Sequence, residues 1–207
     1  EIAEESKKRY LKERSEVYRN SGVDLKYHNV SLKDLLPTLS SEYQKVITDF
    51  LDDVEAGKQR VLWLVGNPGT GKTALADAVL RNLILRGKSG CHYLSNDLMQ
   101  RIKTAEGYGV KETVDDVKRW LLKKDIIVFD DVGQEYYREY AQYQYFDLVQ
   151  KLTANGKSFV MTSNINKNDF GNKFLGHAVV DRLKGHCKAI EFTGESYRGT
   201  DKELYVL

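Results

Sequence analysis

The sequence has little cysteine, no long apolar run and almost no net charge, and each shortage argues against a class of protein. Its 207 residues hold two cysteines, Cys91 and Cys187, far apart and without a CxxC partner. That speaks against a disulfide framework or a zinc ribbon and suits a reducing cytosol. No stretch comes near the roughly 18 consecutive apolar residues of a membrane span, and the start of the chain lacks the apolar core of a signal peptide. A cytoplasmic protein without membrane contact is expected. Lysine and arginine number 32 against 30 acidic residues, a formal charge of +2. No global basic field marks a nucleic-acid binder, so any such site must be a local patch. Repeats and low-complexity segments are absent as well.

What is present suits a folded domain. With 41% hydrophobic and 30% charged residues, the chain can bury a sizeable core. It opens with Glu1 rather than Met, which fits a fragment of a longer protein. Eleven of the first twenty residues are charged, and Ile2, Tyr10, Leu11, Val17 and Tyr18 are too sparse for a broad core-facing stripe. Residues 1–22 therefore read as a charged helical leader or linker, and 23–207 as the main domain. Ser40 and Ser41 can cap a helix whose Tyr43, Val46, Ile47, Phe50, Leu51 and Val54 recur at helical spacing, closed by Gly57.

From Arg60 onward apolar runs alternate with helical patterns. Strands are expected at Arg60 to Val65, Cys91 to Leu94, Ile126 to Phe129, Phe159 to Ser163 and Lys188 to Phe192. Helices are expected at Lys72 to Leu85, around Asp97 to Thr104, at Thr113 to Lys123 and around Tyr137 to Thr153. Alternation of this kind predicts an α/β fold, a five-stranded parallel sheet sandwiched by helices.

Gly66-Asn67-Pro68-Gly69-Thr70-Gly71-Lys72-Thr73 matches GxxxxGK[ST], directly after an apolar strand and directly before a helix, the context this phosphate-binding motif requires. The glycines let successive backbone N–H groups turn inward, and the helix that runs on through Ala74 adds its positive dipole end. Lys72 is expected to reach the β- and γ-phosphates of ATP, and the Thr73 hydroxyl to ligate Mg²⁺. A second metal carboxylate belongs at the tip of a neighbouring strand, where Asp130 stands. Asp131 can polarise an attacking water as general base, with Glu135 a competing candidate that the sequence leaves open. Asn164, ending the Phe159 to Ser163 strand, can hold that water.

Taken together, Gly66 to Thr73, the run Asp130-Asp131-Val132-Gly133-Gln134-Glu135, the Thr-Ser-Asn strand end at Asn164, Asp181-Arg182-Leu183 and the closing Phe192-Thr193-Gly194-Glu195-Ser196-Tyr197-Arg198 carry a resemblance. They resemble the AAA+ ATPases of the DnaC/DnaI helicase-loader and IstB group, over nearly the whole chain after about Ser21. The resemblance implies that Asn164 is a sensor reading the γ-phosphate, and that Arg182 is an arginine finger acting on a neighbouring subunit's ATP. It implies that Arg198 is a second sensor for its own nucleotide. After Phe192 only fifteen residues remain, too few for the C-terminal helical lid of most AAA+ proteins, as in loaders and IstB proteins.

The function so implied is an ATP-hydrolysing loader that assembles as a homo-oligomer and places a replicative DNA helicase on single-stranded DNA. An IstB-like helper of transposition, or an ATP-gated assembly module with weak hydrolysis, shares every motif. Nothing resembles the N-terminal partner-binding module of such proteins. Two weaker signals concern partners. Arg101 and Lys103 head a stretch to Lys124 with seven basic and four acidic residues, a candidate DNA surface or simply a solvated face. Five tyrosines fall between Tyr136 and Tyr145. Helical spacing groups Tyr145 with Ala141, Leu148 and Leu152, and sets Tyr136, Tyr140 and Tyr143 on the opposite side as a candidate contact surface.

Overall fold

A computed structural model describes residues 2–197. Its centre is a five-stranded sheet in the order β2-β3-β4-β1-β5, formed by β1 (Val61–Gly66), β2 (Gly90–Leu94), β3 (Ile126–Asp130), β4 (Ser158–Ser163) and β5 (Cys187–Phe192). Every neighbouring pair is parallel. The expected strands are all there, each within a residue or so of the sequence reading. A parallel sheet needs cover on both faces, and alternation along β1 shows how it is met. Leu62 and Leu64 point into one core with Val128 and Val160. Val61, Trp63 and Val65 point into another with Phe129, Phe159 and Met161.

The first core is closed by α3 (Ser41–Glu55) and α4 (Lys72–Leu85). The Ser40 hydroxyl accepts from the Tyr43 N–H at 3.3 Å to start α3, and Gly57 ends it in the left-handed region, φ 79°. Between them Ile47, Phe50, Leu51 and Val54 are buried. Helix α4 is apolar on nearly all sides because α1 (Ile2–Arg19) and the short α2 (Leu32–Leu35) cover what the sheet does not.

Helix α1 is mostly exposed, as its charge implies, yet it is fastened to α4. Tyr18 is buried in the first core, and the Arg14 guanidinium donates to the Ile84 carbonyl at 2.7 Å and to that of Lys88 at 2.5 Å. A cation on the last carbonyls of a helix satisfies acceptors that have no partner within the helix. Past α1 the chain crosses the sheet edge, where Ser21 O accepts from His92 N at 2.7 Å.

The second core is closed by α5 (Ser95–Ala105), α6 (Val114–Leu122) and α7 (Arg138–Ala154). Beyond β4 the one-turn α8 (Lys167–Asp169), a π-helical turn (Phe170–Leu175) and α9 (His177–Leu183) complete that face. Thr113 and Asp116 form a reciprocal capping box at the start of α6. As the wheel predicts, Ala141, Tyr145, Leu148 and Leu152 are fully buried and Tyr143 is exposed, but Tyr140 is half-buried and donates to Glu106 at 2.9 Å, and the exposed Tyr136 lies in the loop before α7.

Candidate functional site

The loop between β1 and α4 stands at the carboxyl end of the sheet, where open α/β folds bind ligands. Three of its glycines take conformations that other residues avoid: Gly66 at φ 114°, Gly69 at 75° and Gly71 at 89°. At Gly66 and Gly69 space is short too. A Cβ on Gly66 would stand 2.2 Å from Phe192 O, and one on Gly69 2.0 Å from Ser196 Oγ. No side chain caps α4 at Gly71, so its leading N–H groups are left for a ligand anion. Position 74, inside the helix, is a buried alanine that adds only its backbone.

Lys72 is 5% exposed, and its Nζ donates to the carbonyls of Gly66 at 2.9 Å and Asn67 at 2.5 Å. It therefore sits on the loop it is expected to serve. Thr70 Oγ1 donates to Asn67 O at 2.8 Å, bracing the loop around Pro68. The Thr73 hydroxyl donates to Asp130 Oδ1 at 2.9 Å, joining α4 to the tip of β3. Hydroxyl and carboxylate are hard oxygen donors, and Mg²⁺ takes few protein ligands, keeping waters and substrate phosphates for the rest. The pair fits that ion. Among the described residues no group of three His, Cys, Asp or Glu forms an all-protein cage.

One residue further, Asp131 is the single non-glycine described residue at positive φ, 56°. Such strain collects at functional sites. The Thr162 hydroxyl on β4 accepts from Asp131 N at 2.9 Å and donates to Asp130 Oδ1 at 2.5 Å, locking both acids to the neighbouring strand. Asn164 Nδ2 lies 3.4 Å from Asp131 Oδ1. The amide expected to hold a water and the acid expected to activate it are thus side by side. Glu135 is placed differently. Its buried carboxylate accepts from Gly133 N at 2.9 Å and from the Ser95 hydroxyl, which also contacts Tyr145. It is committed to the turn after β3, so the geometry favours Asp131 as base.

The closing motif is laced to the loop. Asn67 N donates to Phe192 O at 2.8 Å, its side chain reaches the Thr193 and Gly194 carbonyls at 3.1 Å each, and Tyr197 N donates to Gly69 O at 2.9 Å. Arg198 follows immediately but lies outside the described residues. Arg182 stands elsewhere. It is exposed on α9 and makes no ion pair among the described residues. Helix α9 leads into the amino end of β5, and β5 runs parallel to β1 with Val61 opposite Cys187 and Gly66 opposite Phe192. A six-residue strand spans about 20 Å, so Arg182 and the phosphate loop occupy opposite ends of the sheet.

A cavity of about 250 Å³ that sequence reading missed adjoins the loop, walled by Leu35, Leu39, Tyr43, Gly71 and Leu75. Apolar walls beside phosphate donors suit a nucleobase. Its only sequence signal was the cluster of leucines before Ser40. The basic surface also differs from expectation. Arg101 is held by Glu112 at 2.9 and 2.5 Å, donates to the Tyr93 hydroxyl and stacks near Trp120, so it braces the fold. Lys103 instead lies 3.7 Å over the Tyr137 ring.

Fold and site define a P-loop nucleotide-binding protein of the AAA+ type. The family model of the IstB-like ATP-binding proteins matches residues 21–204, and the chain belongs to that family, in the DnaC/IstB group of AAA+ ATPases. It is 32% identical over 142 residues to the replicative helicase loader DnaC of Escherichia coli K12, covering 67% of this chain and 57% of that protein. It is 27% identical over 151 residues to the putative ATP-binding protein of insertion sequence IS5376 from Geobacillus stearothermophilus, covering 71% of this chain and 58% of that protein. The match thus spans little more than half the length of these relatives. Among solved structures, a crystal structure of the DnaC helicase loader superposes with a TM-score of 0.66 at 23% identity, covering 82% of this chain and all of that one. That likeness concerns the fold.

Proposed function

We propose that this chain is the ATPase unit of a helicase loader, hydrolysing ATP as an oligomer while it places a replicative helicase on single-stranded DNA in the cytoplasm. The observation that carries the ATPase reading is the contact of Asp131 with Asn164 beside the Thr73–Asp130 pair and the phosphate loop. Backbone N–H groups from Gly69 to Thr73 take the phosphates, with Lys72 on the β- and γ-oxygens. Thr73 and Asp130 are the residues that would hold Mg²⁺, which would supply charge neutralisation to the bound phosphates. Asp131 accepts the proton of a water held by Asn164 as that water attacks the γ-phosphorus and the bond to the β-phosphate oxygen breaks.

Arg182 is too far along the sheet to serve its own nucleotide, which supports a role on a neighbouring subunit's ATP. Arg198, the residue after Tyr197 in the sequence, is proposed as the second sensor of its own site. DNA contact is assigned to the surface around Lys103 and Tyr137, and the loader role rests on the similarity to DnaC. Similarity to the insertion-sequence protein supports a second reading, an ATPase helper of transposition. Immobilised chain with ATP and Mg²⁺, presented with a replicative helicase and with a transposase, separates the two. Retention of the helicase is expected; retention of the transposase alone would reverse the assignment. DNA affinity that ignores salt would remove the electrostatic surface.

A further inference from the structure

Behind the metal-site carboxylate lies a polar pair that the proposed chemistry does not use. Asp77 follows Thr73 by four residues on α4, hence on the same face. It is fully buried, surrounded along the helix by Ala74, Ala78 and Leu80, and its Oδ1 stands 2.6 Å from His92 Nδ1 on β2. Its Oδ2 is also buried, with no hydrogen-bond partner. The other ring nitrogen, His92 Nε2, faces Asp130 Oδ2 at 4.0 Å. A buried carboxylate with an unsatisfied oxygen is costly where an alanine and a leucine would pack well. Its place in the fold must therefore serve something besides stability.

The imidazole is mounted rigidly. The His92 backbone is paired with Val128 of β3 on one side, and its N–H is bonded to Ser21 O on the other. Asp77 fixes the ring about its remaining freedom. Asp130 is held on its Oδ1 side by Thr73 and Thr162, while Oδ2 has only a longer contact of 3.2 Å from the Thr73 hydroxyl. Once that hydroxyl is engaged by a ligand, Oδ2 is left facing the ring. A shift of about 1 Å brings it within hydrogen-bond distance of Nε2.

We infer that Asp77 and His92 are positioning residues for Asp130, with the carboxylate orienting the imidazole and the imidazole backing Oδ2 in the plane that presents Asp130 to a divalent cation. The inference rests on the nucleotide-binding reading above. Outer partners of metal-site groups typically contribute about 10- to 100-fold in metal affinity.

The test is the affinity for a fluorescent ATP analogue, measured with saturating Mg²⁺ and again in excess EDTA. The double variant Asp77→Ala/His92→Leu removes both polar groups together and leaves no lone buried charge; Asp77→Asn keeps the shape and removes the charge should the double variant fail to fold. Affinity in EDTA is expected to stay within about twofold, while the tightening by Mg²⁺ shrinks by about tenfold in the double variant and by a smaller factor in Asp77→Asn. An unchanged Mg²⁺ gain in the folded variants, even with lowered melting temperature, would overturn the inference and leave the nucleotide site standing. No binding by the unmodified chain in either condition would overturn the nucleotide reading and the inference with it.

Discussion

The two ends of the sheet are built for different tasks. At the carboxyl end, the phosphate loop, Asp130, Asp131 and Asn164 come from three adjacent strands and are tied together by the hydroxyls of Thr73 and Thr162. The closing segment up to Tyr197 is bonded over them. Arg182, near the amino end, is exposed on a seven-residue helix and has no ion-pair partner among the described residues. A preorganised site at one end and an uncommitted cation at the other make sense if each end completes the other in an assembly. On that view the subunit binds nucleotide well and hydrolyses it poorly until a second copy arrives.

The comparison can be broken first at the amino end. Arg182→Ala is expected to lower steady-state ATP turnover by about 10³-fold or more, with nucleotide affinity unchanged in a binding titration. A similar loss of affinity would place Arg182 in its own site. At the carboxyl end, Asp131→Asn should reduce turnover by about 10² to 10⁴. Glu135→Gln should lower thermal stability and leave turnover per folded molecule within about tenfold. The reverse pattern in those two variants would exchange their roles. Gly66→Ala should cost about 3 kcal/mol, lowering the melting temperature by roughly 6–12 °C, because strained φ and collision with Phe192 O act together. Smallest is Thr113→Ala, away from both ends, expected to cost about 1 kcal/mol through loss of the α6 cap with no change in turnover.

Much of the carboxyl end was legible in the sequence, because each strand there is a short apolar run ending in a polar residue whose chemistry is specific. Asp130, Asp131 and Asn164 sit at such ends, Lys72 and Thr73 open the helix that follows β1, and parallel strands bring such ends together. The choice between Asp131 and Glu135 was not legible. It turns on Gly133 N and Ser95, partners that no local pattern announces. The docking of α1 was hidden for a similar reason, since Arg14 finds backbone carbonyls, and every residue has one. Arg101 looked like a free cation because Glu112 and Trp120 reach it through folding. The leucines of the cavity beside Gly71 read as ordinary core until the chain placed them next to the phosphate loop.

The most direct test of the division between ends is a mixing experiment with two inactive proteins. Lys72→Ala keeps Arg182 but is expected not to hold nucleotide, whereas Arg182→Ala keeps the nucleotide site but lacks the exposed cation. Each alone should show little turnover. Mixed at a concentration where the unmodified chain is active, they are predicted to recover a substantial fraction of its ATPase rate, because one subunit's Arg182 reaches the other's ATP. No recovery on mixing, with Arg182→Ala already as active alone as the unmodified chain, would contradict the account.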